Sequence, residues 1–122
     1  MPFRSSDAAL PLTPISFEIL LALSEGERHG YAILQQVEAR TAGVIPMRTG
    51  TLYRALARLE EAGLIERRPE SSAARSTAKD ARRLYYGITP RGRAIARDEA
   101  KRLADQVAAA RASRLLSGPH EP

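Results

Sequence analysis

The amino-acid sequence predicts a mainly α fold of the α+β type, and three observations carry that reading. Three consecutive segments place apolar residues at helical spacing, each with a start or stop signal. Two short β-prone runs flank a polar stretch. A long alanine-rich helix closes the chain.

Residues 1–12 (MPFRSSDAALPL) are expected to form a flexible arm, because Pro2, Pro11 and the Ser5-Ser6-Asp7 cluster oppose regular structure. Thr13-Pro14 then offers an N-cap followed by proline at the first helical position. Ile15, Ile19, Leu20 and Leu23 follow at helical spacing, so a first helix runs to about Ser24, where Glu25-Gly26-Glu27 breaks it. A second helix starts near His29-Gly30. Its apolar side is Tyr31, Leu34 and Val37, with Ile33 beside them, while Gln35, Gln36 and Glu38 face out. It stops at Ala42-Gly43, where glycine can take the left-handed C-terminal conformation. Val44-Ile45-Pro46 is an extended link and a candidate first strand.

The third helix is expected to be capped by Thr49, whose hydroxyl can accept from an orphan backbone N–H. Its buried stripe is Leu52, Leu56 and Leu59, and its opposite face carries Thr51, Tyr53, Arg54 and Arg58. It ends at Ala62-Gly63. Leu64 to Arg68 reads as a strand stopped by Pro69, and residues 70–81 (ESSAARSTAKDA) read as a loop without a large apolar group. Arg82 to Ile88 (RRLYYGI) is β-prone, and Tyr85 and Tyr86 must point to opposite faces of a strand there. The two strands make an antiparallel hairpin with a long tip. Thr89-Pro90 repeats the cap-then-proline signal and opens a fourth helix that continues to about Leu116. Along it Ala96, Ala100, Leu103, Val107 and Ala110 form a heptad-like seam. The residues after it are a frayed tail.

This order is that of a winged helix-turn-helix, in which the third helix reads the major groove of DNA and the hairpin is the wing. The predicted division is an arm over 1–12, a winged-helix domain over 13–89, a dimerisation helix over 90–116 and a disordered tail over 117–122. Charge placement agrees with a nucleic-acid partner. Residues 48–93 hold 11 Lys/Arg against 5 Asp/Glu, whereas the rest of the chain holds 8 against 9. A local cationic surplus raises affinity for phosphate backbones through counterion release.

Other classes fare worse. The chain has no cysteine, which removes disulfides, thiolate metal sites and cysteine nucleophiles. Its two histidines, His29 and His120, are far apart, so neither a metal nor another cofactor is expected. No nucleophile–base arrangement or phosphate-cradling glycine loop marks an enzyme. No apolar run approaches the roughly 18 residues of a membrane span, and the N-terminus lacks the apolar core of a secretory signal, so no membrane partner and a cytoplasmic location are expected. The competing reading is a winged-helix protein-interaction module without DNA binding. Such a module needs no cationic outer face on the third helix, and Arg48, Arg54 and Arg58 weigh against it.

Several short motifs also resemble a known family. His29-Gly30-Tyr31, Gly50-Thr51-Leu52-Tyr53, Leu59-Glu60-Glu61-Ala62-Gly63-Leu64-Ile65 and Arg82-Arg83-Leu84-Tyr85-Tyr86, followed by Ile88-Thr89-Pro90-Arg91-Gly92, are similar in order and spacing to the PadR family of transcriptional regulators. The likeness covers about residues 15–95, and the single C-terminal helix resembles the smaller subgroup. It implies a dimeric winged-helix repressor that binds palindromic promoter DNA, with a C-terminal dimerisation helix. Family members respond to phenolic acids, drugs or other small molecules, so release from DNA by a small-molecule effector is among the expectations. Two departures stand out. Many relatives carry proline beside the GTLY stretch, where this chain has Thr49 and Arg54, and the wing tip is longer and richer in Ala and Ser.

The candidate DNA-binding residues are therefore Tyr31, Arg48, Thr49, Gly50, Thr51, Tyr53, Arg54 and Arg58, with Arg75, Lys79, Arg82 and Arg83 on the wing. Arg54 can donate twice to guanine or hold a phosphate. Arg48, Thr49 and Thr51 lie where a helix N-terminus favours a phosphate, and Thr49 also serves as a plain cap. Tyr31 is expected to pack under the third helix and offer its hydroxyl to a phosphate. Tyr53 either packs on the domain or touches DNA. The candidate dimer seam joins Ala96, Ala100, Leu103, Val107 and Ala110 to Phe17, Leu20 and Leu21 of a partner's first helix. An effector pocket is expected between the DNA domain and that seam.

Overall fold

The structure, a computed structural model, describes residues 10–68 and 84–116. The expected wing tip at 70–81, the tail from 117 and the first nine residues of the arm lie outside them, as do Arg75, Lys79, Arg82 and Arg83. Seven elements follow in chain order: α1 (Pro14–Ser24), β1 (Arg28–His29), α2 (Gly30–Thr41), α3 (Thr49–Glu61), β2 (Ile65–Arg68), β3 (Tyr85–Ile88) and α4 (Pro90–Ala112).

Local chemistry sets the helix starts. The Thr13 hydroxyl accepts from Ser16 N–H at 3.1 Å and Pro14 opens α1, so an orphan donor is satisfied where proline has none to give. Thr89 does the same for α4, accepting from Gly92 N–H at 2.9 Å. His29 caps α2, its Nδ1 accepting from Ala32 N–H at 3.2 Å. The third helix differs from expectation. Its N-cap is Arg48, without a side-chain cap bond, and Thr49 is its first helical residue. Its backbone turns helical one residue earlier than the hydroxyl pattern predicts.

Burial of one apolar face per element builds the core. Ile19, Leu20 and Leu23 of α1 meet Ile33 and Val37 of α2, Leu52, Ala55, Leu56 and Leu59 of α3, and Tyr86 and Ile88 of β3. Each such aliphatic side chain contributes roughly 1.5–3 kcal/mol on leaving water. Helix α1 is the central strut, packing on α2, α3, β3 and α4. Leu10 and Leu12, inside the segment expected as a flexible arm, also pack against this core.

The sheet has three antiparallel strands in the order β1-β3-β2. Pairing runs Ile65↔Ile88 to Arg68↔Tyr85 on one side of β3 and Arg28↔Tyr86, His29↔Tyr85 on the other. The first strand is therefore Arg28–His29, not Val44–Pro46, whose Val44 lies 76% exposed in the turn between α2 and α3. The left-handed residues ending α2 are both Ala42 (φ 53) and Gly43 (φ 79). As the alternation rule requires, Tyr86 is buried and Tyr85 is only half-buried.

The joint between wing and α4 is tight. Thr89 N–H donates to Leu64 O at 3.1 Å, and the Thr89 hydroxyl donates to Gly63 O at 2.7 Å. Gly92 brings the first turn of α4 against the Leu64 carbonyl, in space that a Cβ would have to share with that oxygen. Buried positions on α4 are Gly92, Ile95 and Glu99, so its second half extends beyond the domain. It ends at Ala112, one turn short of the Leu116 expected from sequence.

Candidate nucleic-acid interface

Helix α3 is sharply two-sided. Leu52, Ala55, Leu56 and Leu59 are buried, while Arg48, Thr49, Gly50, Tyr53, Arg54, Ala57 and Arg58 are exposed. Thr51 is half-buried at the edge. The buried stripe thus fixes which side chains α3 offers to solvent, and these include most of the residues the sequence nominated on this helix. The Arg54 guanidinium folds back over Gly50 at the helix start, so one cation and the bare first turn lie together. No acidic residue sits in that turn.

Electrostatic pairing separates these cations from five others. Arg40 pairs with Glu18 at 2.7 Å, Arg67 with Glu60 at 3.1 Å, Arg28 with Glu25 at 3.2 Å and Arg68 with Glu27 at 2.7 Å. Arg102 pairs with Glu99 at 2.7 Å. Among the described residues, Arg48, Arg54 and Arg58 make no ion pair or side-chain hydrogen bond. Arg97, Lys101 and Arg111 on α4 are likewise uncommitted there, so free charge alone does not mark the face. The coincidence of free arginines, exposed hydroxyl groups and an uncapped helix start does. Backbone N–H groups at such a start and the helix dipole both favour an anion.

The wing root is rigidly built. Arg68 bridges Glu27, before β1, and Glu66 on its own strand, and its guanidinium lies across Gly87 of β3. Both carboxylates hold Arg68 firmly protonated, the hydrogen bond to Glu27 being the larger cause. Burial pushes the Tyr86 phenol above its ordinary range, with Arg67 opposing, so it remains a neutral core group.

Two nominated residues sit elsewhere than expected. Tyr31 is 56% exposed and does not pack under α3. The phase of α2 is set by Ile33 and Val37, which turns Tyr31 outward. Leu20 is fully buried within its own protomer and cannot meet a partner. Phe17 and Leu21 remain half-buried. On α4, Ala96, Leu103 and Ala110 are half-buried, Ala100 is exposed and Val107 is 41% exposed. One residue missed at the sequence level is Gly30, against which the Tyr53 ring rests. Its only signal is that HGY and GTLY both bring glycine and tyrosine to helix starts.

Phe17, Leu103, Leu12, Pro11 and Pro14 wall a groove of about 490 Å³ between the N-terminal segment, α1 and α4, with Glu18, Glu99 and Arg102 also lining it. Among the described residues, no helix is long and apolar enough to cross a membrane.

Comparisons with known proteins match this architecture. Residues 19–98 match the model of the transcriptional regulator PadR-like family. The structure is similar to a transcriptional regulator from Clostridium thermocellum, at 30% identity over 77% of this chain and 85% of that one, with TM-score 0.61. It is also similar to a PadR family transcription regulator from Clostridium difficile, at 25% identity over 81% and 96%, with TM-score 0.65. A protein from Streptococcus mutans is similar at 25% identity over 75% and 77%, with TM-score 0.61. No curated protein matches the chain.

Proposed function

The chain belongs to the PadR-like family of transcriptional regulators, and from that premise we propose a repressor that binds a palindromic operator as a dimer and is released by a small-molecule effector. Family membership makes it a DNA-binding regulator rather than an enzyme. The outer face of α3 is the reading surface, with Arg54 and Arg58 reaching base edges or phosphates and Arg48, Thr49, Gly50 and Thr51 holding a phosphate at the helix start. Wing residues Arg75, Lys79, Arg82 and Arg83 add backbone contacts. The observation that carries this reading is that Arg48, Arg54 and Arg58 stand exposed and without an ion-pair partner among the described residues.

Dimerisation is supported by α4. Its 23 residues run roughly 34 Å, yet its buried positions stop at Glu99. Leu103, Val107 and Ala110 beyond that point form a stripe that a second copy would cover, with Phe17 and Leu21 as the facing surface. Two recognition helices about one DNA turn apart would then engage both half-sites. The groove beside Phe17 and Leu103 is the proposed effector site. A ligand wedged between α1 and α4 would alter the spacing of the recognition helices, provided it binds the two spacings with different affinity.

Selection of bound fragments from a random duplex pool, repeated at two salt concentrations, tests this reading. It should recover paired half-sites spaced by about one helical turn, roughly 10 base pairs centre to centre. Recovery of random sequence whose binding vanishes with salt would reduce the protein to a non-specific polycation.

A further inference from the structure

A second role for Tyr53 follows from what its ring touches. Tyr53 lies on the outer half of α3 and is 47% exposed. The other side of its ring sits on Gly30, the first residue of α2. A Cβ built on Gly30 would meet the phenol oxygen and lie 2.9 Å from Cζ and 3.2 Å from Cε1. Gly30 is helical and its backbone does not demand glycine; the ring of Tyr53 does. The same turn anchors the wing, because His29 caps α2 through Nδ1 and presents its ring edge-on to Tyr85 of β3, centroids 5.5 Å apart and planes at 83°. Recognition helix, α2 and wing root therefore converge on His29-Gly30.

We propose that Tyr53 is a positioning residue that, seated on the bare backbone of Gly30, sets the roll of α3 relative to α2 and the wing and so aims Arg54 and Arg58 at base edges. The inference rests on the DNA-reading role of α3. It assigns Tyr53 a mechanical function in which His29-Gly30-Tyr31 and Gly50-Thr51-Leu52-Tyr53 each supply one half of a contact. A methyl group at position 30 would drive the phenol away from α2, and the open side is the surface that faces the duplex. The displaced object is the tip of a side chain, not backbone, so the fold can accommodate it while the reading surface cannot.

The test uses the full-length protein, the duplex that wild type selects from a random pool, and a random-sequence duplex of equal length. Gly30→Ala should keep or raise the melting temperature, since alanine is the better helix former. Its affinity for the selected duplex should fall about tenfold or more, the equivalent of one good base contact. Its affinity for random duplex should stay within about twofold, because no phosphate-binding cation is lost. Tyr53→Ala should lose discrimination similarly, and adding Gly30→Ala to it should change affinity by less than about twofold, the non-additivity expected of a shared contact. Tyr53→Phe, which keeps the ring, should retain most of the discrimination. The inference fails if Gly30→Ala selects as wild type does, if it loses binding and melting temperature together, or if the two substitutions add. It also fails if Tyr53→Phe is as damaged as Tyr53→Ala, which would make the hydroxyl a direct DNA contact. A wild-type protein that discriminates no duplex would instead remove the DNA reading itself.

Discussion

Replacing Gly92 by alanine should destabilise the protein, in contrast to the same change at Gly30. Both glycines lie in the first turn of a helix, and both changes gain up to about 1 kcal/mol of helix propensity. What the new methyl group meets decides the outcome. At position 92 it meets the Leu64 carbonyl oxygen, with Leu64 C at 3.0 Å and Ile88 Cγ1 at 2.9 Å. That carbonyl cannot swing aside without losing the Thr89 N–H bond at 3.1 Å, and moving α4 away strains the Thr89 cap on Gly92 at 2.9 Å. Overpacking costs roughly 1–3 kcal/mol, the backbone bond about 1 kcal/mol and the cap about 1 kcal/mol. After subtracting the propensity gain, the net loss is roughly 2–4 kcal/mol. For a domain of this size that corresponds to about 8–16 °C of melting temperature. Thermal unfolding followed by circular dichroism, with Gly30→Ala run alongside, measures it. A Gly92→Ala protein melting at or above wild type would show that α4 is not locked to the wing as described.

Two further outcomes are expected. Val107→Glu puts a charge on the exposed stripe of α4, so sedimentation velocity should show monomer at concentrations where wild type forms the proposed dimer, with the melting curve of the monomer little changed; a dimer persisting in the variant would place the seam elsewhere. Glu99 is 1% exposed, and the Arg102 guanidinium holds its carboxyl below the usual carboxylate range against the opposing effect of burial, with the Leu12 N–H assisting. A depressed folded-state value means the contribution is complete above the unfolded value of about 4.3 and disappears as pH falls through the folded one. The stability gap between wild type and Glu99→Gln should therefore be widest near neutral pH and shrink below about pH 4; a pH-independent gap would contradict the ion-pair account.

Most of the fold was legible because its boundaries are written locally. Thr13-Pro14 and Thr89-Pro90 announce α1 and α4 with chemistry contained in two residues, and the leucine stripe of α3 identifies its buried side without reference to the rest of the molecule. Features that depend on distant partners were not. Strand β1 is two residues long and carries no periodicity; it exists because β3 offers an edge beside Arg28-His29. Tyr31 fits an apolar stripe on paper, but Ile33 and Val37 fix the helix phase and leave it outside. Leu20 looks equivalent to Leu21 until α1 is surrounded on several sides. At the interface the residue types were readable, whereas the distinction between committed and free arginines was not. That distinction rests on pairs such as Arg68–Glu27 and Arg40–Glu18, which meet only after folding. The Tyr53–Gly30 contact is of the same kind, since neither motif names its partner.

On the proposed function, the solvent-facing side of α3 reads a duplex through cations the protein leaves unneutralised. The most direct measurement is a salt titration of Arg54→Ala and wild type on the selected duplex. The variant should fold normally and lose roughly 1–3 kcal/mol of binding, with relaxed specificity at one base if Arg54 reads an edge. If it holds a phosphate, the salt slope should instead fall by about one. Identical affinity, specificity and salt slope for the two proteins would contradict the account.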